Sequence, residues 1–460
     1  MELKIEYGTE ILSVAMPYPV VVKGMKTPPA ALDPLPAISH ALQYPMGMPS
    51  LREIAEEKLK KNPQSQAVIV VSDNTRPVPY REPYGIMAPM IKTLLSAGFE
   101  ARQITVLIGA GSHRNMEPPE IEKMLGLEAS GLADIYVENH EYEKEEQLLY
   151  LGKTRRGSTV KINKRYMEAD LKIVTGLVES HFMAGASGGR KGICPGIVGK
   201  ETLEIFHGAK MLSSTEAADL IIEGNPLNDE SLEVAKMAGC DFLVNATIDA
   251  EKRLTGIFSG DLEAAHREAV KKIREYVVVE LEKKYDIVLI PAGFVGVNHY
   301  QAGKAAIEAA RALKPGGAII IVAQHTDPDP VGGKGYKESL HLLRQHGKDK
   351  FMEMISAPDW KMIQEQWQVQ MWCKVLDVMG DEKNLVYCSL EIPGEDYENL
   401  PGVPGISLLT AQELAHPDPR EVMKTMIQRS IAYVYQKKGN AQTEMLFLKD
   451  GPYGIPEVKN

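Results

Sequence analysis

Tyr285-Asp286-Ile287-Val288-Leu289-Ile290-Pro291 sets four aliphatic residues in a row between an aspartate and a proline. A short apolar run bounded by turn-forming residues reads as a buried strand. A glycine-rich loop follows, then helical spacing over residues 302–313 and a second apolar run over 318–322. The three together predict a βαβ unit. Upstream the same alternation recurs, with strands predicted over 67–71, 104–108 and 171–174 and helices over 87–97, 119–125, 231–238 and 262–276. Strands alternating with helices point to parallel sheets. The expected fold class is therefore α/β, in two domains, each built around a largely parallel sheet flanked by helices, with the active site in the cleft between them. Placing the linker between Glu282 and Asp286 gives an N-terminal domain over 1–283, a C-terminal domain over 284–445 and a loose tail over 446–460. Residues 326–337, rich in Asp, Pro and Gly, are expected to form a surface or active-site loop.

Bulk properties narrow the function classes. Hydrophobic residues make up 44% and charged residues 25% of the 460, proportions that argue against disorder, a coiled coil or a membrane-spanning chain. A net charge of −10 offers no basic field for nucleic acid, while a local basic pocket for a small anion stays compatible with it. The start, Met1 to Tyr7, lacks the basic and apolar regions of a secretory signal, so a cytoplasmic protein that does not engage membranes is expected. Cys194, Cys240, Cys373 and Cys388 form no CxxC pair, which suggests neither a disulfide framework nor a thiolate zinc site.

The densest chemical signal is Ala184-Gly185-Ala186-Ser187-Gly188-Gly189-Arg190-Lys191-Gly192. Small residues let a backbone approach a bulky ligand, and their amides can form an anion-binding concavity. A flexible turn carrying two solvated cations is the competing reading. A Walker A loop does not fit, because Glu201 follows Gly199-Lys200 where Ser or Thr is needed. Two predicted strands feed polar clusters, Asp73-Asn74-Thr75-Arg76 and Gly109-Ala110-Gly111-Ser112-His113-Arg114. In open parallel sheets such groups converge on a crevice at the carboxyl ends of the strands. Taken singly, Asp73 is as well explained as a cap, His113 or His181 as a structural histidine, and His207 before Gly208 as the cation ending a helix over 200–206.

The ordered set of these motifs, with Tyr300-Gln301-Ala302-Gly303-Lys304 and Gln366-Trp367-Gln368 further on, resembles the nickel-dependent lactate racemase family. That resemblance implies racemisation or epimerisation of a 2-hydroxy carboxylic acid by proton-coupled hydride transfer. The cofactor would be a nickel-pincer nucleotide, the Ni complex of pyridinium-3,5-bisthiocarboxylic acid mononucleotide, joined covalently to Lys191. It implies His207 as the protein ligand to nickel and His113 and His181 as the acid/base pair. Asp73, Thr75, Ser187, Gly188 and Gly189 would hold the cofactor, and Arg76, Tyr300, Gln301, Lys304 and Trp367 the substrate. Implied partners are a small anionic 2-hydroxy acid and the cofactor-synthesis enzymes, with a homo-oligomer possible.

Hydride removal suits such a substrate, because its α-hydrogen is too weakly acidic for simple proton abstraction near neutral pH. Two imidazoles can exchange the hydroxyl proton on either side. His299 and the 326–337 loop depart from the family pattern and suggest an acid larger or more hydroxylated than lactate. His40, His140, His266, His325, His341, His346 and His416 read as surface or structural. Two other functions compete. An NAD-dependent dehydrogenase is disfavoured because Gly293-Phe294-Val295-Gly296 lacks the G-x-G-x-x-G spacing. A non-catalytic cofactor-binding protein would not need both His113 and His181.

Overall fold

The computed structural model describes residues 1–83, 85–438 and 442–459. It divides into two compact units, Thr27–Glu275 and Met1–Lys26 with Tyr276–Asn460.

The Thr27–Glu275 unit is built on six strands in the spatial order Leu254–Gly260, Phe242–Ile248, Leu171–Leu177, Ala67–Ser72, Ile104–Gly109, Tyr136–Asn139. All neighbours are parallel except Leu254–Gly260, which runs antiparallel to Phe242–Ile248. Val70 pairs with Leu107 on one side and Val174 on the other, so the three predicted strands lie together at the centre. Their unbroken apolar runs are explained by burial on both faces, with Val68, Ile69, Val70 and Val71 all fully covered. After Ala67–Ser72 the chain adds two strands to one side, then returns to place Leu171–Leu177 on the other. At such a reversal the loops leaving adjacent strand ends part in opposite directions and open a crevice. Asp73 and Val178 are the first residues beyond those two strands.

The second unit holds a six-stranded, all-parallel sheet ordered Val403–Pro404, Leu385–Cys388, Leu313–Val322, Tyr285–Pro291, Met445–Leu448, Val20–Lys23. Tyr285–Pro291 lies inside it, as its sequence requires. The helix after it spans His299–Arg311 and begins earlier than the spacing predicts, because the Asn298 side chain accepts the Gln301 N–H and caps it there. At the strand end itself, the Tyr453 hydroxyl accepts the Val295 N–H at 3.2 Å, and Phe294 stacks on the Tyr453 ring at 5.2 Å. That loop is tied to Tyr453 by one hydrogen bond and one ring contact.

The division of the chain differs from the sequence expectation in three ways. Residues 1–26 fold with the C-terminal unit, since Val20–Lys23 pairs with Met445–Leu448, and Leu3, Ile5, Leu12 and Val14 share a core with Ile287, Leu289 and Phe447. Residues 446–460 are no loose tail: Met445–Leu448 is an interior strand and Ile455–Val458 pairs with Val278–Leu281. The 326–337 stretch is irregular only as far as Gly333, where the helix Lys334–His346 starts. No helix among the described residues is long and apolar enough to cross a membrane.

Four histidines are buried: His140, His266, His299 and His325. Desolvation pulls His140 down to about 4, His266 and His299 to about 3, and lowers His325 as well. The unfolded chain therefore binds more protons than the native one below about pH 6.5. Stability should be level above that pH and fall as pH descends toward 4, by about 2 kcal/mol per fully shifted histidine at pH 5. Urea midpoints recorded from pH 8 to pH 5 test this, and a midpoint that does not move would contradict it.

Candidate active site

Asp73 leaves the central strand nearly covered, at 4% exposure. Thr75 donates its hydroxyl to Asp73 Oδ1 at 2.6 Å, and His113 Nδ1 lies 2.7 Å from Oδ2. Burial alone would raise this carboxyl, but the bond and charge of His113 and the two Thr75 bonds outweigh it and leave Asp73 below its usual value. An ionised carboxylate only accepts, so the proton between the two groups is assigned to His113 Nδ1. His113 itself sits in the Ala110–Asn115 turn beyond the neighbouring strand, with its side chain 57% exposed. Arg76 lies 3.8 Å from Glu179 across the same strand ends.

The loop beyond Leu171–Leu177 is held as firmly. Ser180–His181 pairs with Gly185–Ala186 in a small hairpin. The Met183 and Ala184 amides donate to His181 Nδ1 at 3.3 and 3.2 Å, and His181 Nε2 lies 2.9 Å from Lys191 Nζ. Ser187 donates to the Leu177 carbonyl at 2.7 Å while accepting the Glu179 N–H, and the Gly189 N–H reaches Asn245 Oδ1 at 3.0 Å. These bonds rule out a freely flexible turn.

Gly188 and Gly189 have φ of +72° and +53°, and a Cβ on Gly189 would stand 2.6 Å from the His266 ring. Gly189→Ala should therefore destabilise the protein by about 1–3 kcal/mol through backbone strain and ring displacement. Differential scanning calorimetry checks this; an unchanged melting temperature would show that the loop relaxes freely.

His207 ends the helix Lys200–Phe206, with Nδ1 at 3.3 Å from the Leu203 carbonyl. The ring keeps some exposure, yet desolvation, then the charges of Lys191 and His113, draw it down to about 3. It is neutral at physiological pH, so the reading of His207 as a helix-ending cation does not hold. Lys191 Nζ also lies 5.8 Å from the centre of the adjacent Phe206 ring. Asp73, Thr75 and His113 thus form one cluster and His181 and Lys191 another, with Phe206 and His207 beside the second, all within one unit.

In the other unit, the Trp367 indole donates to the Tyr300 hydroxyl at 3.0 Å, and Lys304 follows Tyr300 by one helical turn. Gln301 is the residue whose amide Asn298 caps. His299, the departure noted in the sequence, is fully buried: Nδ1 is 2.8 Å from the Tyr336 hydroxyl, and the ring stacks on Trp372 at 5.1 Å. It adds no exposed polar group, which removes one of the two features suggesting a more hydroxylated acid. Sequence reasoning missed Asn245, whose signal was a lone amide in the apolar run Phe242-Leu243-Val244-Asn245-Ala246, and gave His266 no place beneath the loop.

Residues 7–219 match the lactate racemase N-terminal domain and residues 281–388 the lactate racemase C-terminal domain. The chain belongs to the lactate racemase family. It is 30% identical to the lactate racemase of Thermoanaerobacterium thermosaccharolyticum over 361 residues, 76% of this chain and 80% of that protein. To the lactate racemase of Lactiplantibacillus plantarum it is 31% identical over 341 residues, 74% and 77% of the two chains. The solved apoprotein of the Thermoanaerobacterium lactate racemase has the same fold, with a TM-score of 0.83 at 23% identity over 99% of this chain and all of that one. A crystal structure of a Thermotoga maritima protein is more distant, with a TM-score of 0.62 at 18% identity over 94% of this chain and all of that one. Family membership makes the protein an isomerase of the racemase type, as the ordered motifs implied.

Proposed function

We propose that the protein racemises or epimerises a small anionic 2-hydroxy acid, using a nickel-pincer nucleotide joined to Lys191. The observation that carries this reading is the 2.9 Å contact between the Lys191 amine and His181, with His207 near enough to feel the Lys191 charge. The residues fit such a group. Among the described residues no cluster of three or more His, Cys, Asp or Glu could hold a metal by itself. What this part of the unit offers is one imidazole that burial holds low and one amine, while Gly188 and Gly189 let the backbone close against Val178, Asn245 and His266. That set suits a metal arriving with its own sulfur and carbon donors.

Lys191 would form the covalent link and His207 would donate a ring nitrogen to nickel. Asp73, Thr75, Ser187, Gly188 and Gly189 would hold the nucleotide. When bound, the pincer nucleotide supplies a centre that can take a hydride from the α-carbon and return it. His113 takes the hydroxyl proton at Nε2, and Asp73 steadies the imidazolium that forms, as a carboxylate does for any base it orients. His181, whose Nδ1 is occupied by two amides, exchanges its proton at Nε2. Arg76 would bind the substrate carboxylate. Loading would require the cofactor-synthesis enzymes, and a cytoplasmic setting with a 2-hydroxy acid supply is consistent with that need.

Cofactor-loaded protein should convert one or more single-enantiomer 2-hydroxy acids to the opposite configuration at C2, as followed by chiral chromatography over a panel from lactate to sugar acids. A loaded protein that inverts none of them would end this reading.

A further inference from the structure

Arg190 immediately precedes Lys191, and its side chain turns inward. The residue is 2% exposed, and among the described residues no carboxylate forms an ion pair with it. Burial pulls the guanidinium down to about 9. Its bonds go to neutral groups instead. Nη2 donates to the Ala184 carbonyl at 2.8 Å and the Ala186 carbonyl at 3.2 Å, Nη1 lies 3.0 Å from His266 Nε2, and Nε is buried without an acceptor. The same His266 nitrogen is 2.9 Å from the Ser187 carbonyl. A buried cation without a carboxylate in contact is costly, and an apolar side chain of similar size commonly serves stability as well or better.

The groups it grips suggest why a guanidinium stands there. Ala184 and Ala186 flank Gly185 in the hairpin that carries His181, and the Ala184 amide is one of the two donors to His181 Nδ1. The backbone of Arg190 runs directly into Lys191, whose amine meets His181 Nε2 at 2.9 Å. Hairpin, guanidinium, turn and lysine thus form a closed loop of contacts. A planar fork holds its donors in fixed directions, so it fastens two carbonyls in one geometry better than an ammonium on a flexible stem. We propose that Arg190 is a positioning residue that fastens the His181 hairpin to the turn bearing Lys191, and so sets the separation between imidazole and amine. The inference rests on the assignment of Lys191 and His181 given above.

The test uses the full chain, with Arg190→Met and Arg190→Lys, each made with and without the cofactor-synthesis enzymes. For Arg190→Met we expect a melting temperature within about 5 °C of wild type, because lost carbonyl bonds are offset by removal of the buried charge. The fraction of chains with a Lys191 adduct, read by intact mass, should fall about 10-fold. kcat per adduct should fall about 100-fold with KM changed by less than about 3-fold, and Arg190→Lys should lie between. In unloaded protein, nitrogen NMR of labelled histidine should show His181 Nδ1 as an acceptor in wild type, and mixed tautomers in Arg190→Met. A methionine variant that loads and turns over like wild type, keeps the His181 signature, or melts more than about 10 °C lower overturns the proposal. If wild type itself takes up no adduct, the functional assignment fails, and the His181 signature alone then decides the role of Arg190.

Discussion

Lys191→Ala, produced alongside the cofactor-synthesis enzymes, is expected to be recovered at its unmodified mass, without bound nickel and without racemase activity. In the proposed reading the amine is the nucleophile of the covalent link, so no other property of the side chain can replace it. Lys191→Arg makes the point sharper, because it keeps the positive charge near Phe206 and His181 yet presents no amine able to form a thioamide. Both variants should fold, since Lys191 is not among the buried core residues of its unit. An adduct on either variant would move the attachment elsewhere and with it the whole assignment.

The second large effect concerns the imidazoles. His113→Ala should retain the adduct by intact mass while kcat falls about 10²–10⁴-fold, the usual contribution of a positioned acid/base. His181→Ala should lose turnover on the same scale. Asp73→Asn should resemble His113→Ala, because an amide facing His113 Nδ1 at 2.7 Å no longer fixes which nitrogen carries the proton. A protein that merely carries the cofactor would show none of these losses.

Much of this was legible locally. The run ending at Val71 and the run from Ile287 to Ile290 declared strands buried on both faces, because each residue's surroundings are written in its own side chain. Asp73 and His113, just past two strand ends, were singled out from where a parallel sheet opens, whereas His181 and Lys191 were singled out by the glycine-rich run and the family resemblance. What stayed hidden depends on distant partners. Val20–Lys23 is a four-residue strand whose place in the C-terminal sheet is set by Met445–Leu448, and nothing within those four residues states it. His299 looked like an accessible polar group, and only Tyr336 and Trp372, brought against it by folding, make it a core residue. Arg190 had only the competing reading of a solvated cation; its carbonyl partners lie within six residues, but only a turned loop brings them together.

The most direct test of hydride chemistry in this protein uses a single-enantiomer 2-hydroxy acid deuterated at C2, incubated with loaded protein in ordinary water. If the hydrogen leaves and returns as a hydride without reaching solvent, the inverted product should keep its deuterium. Inversion accompanied by complete exchange of C2 deuterium for solvent protons would contradict the account.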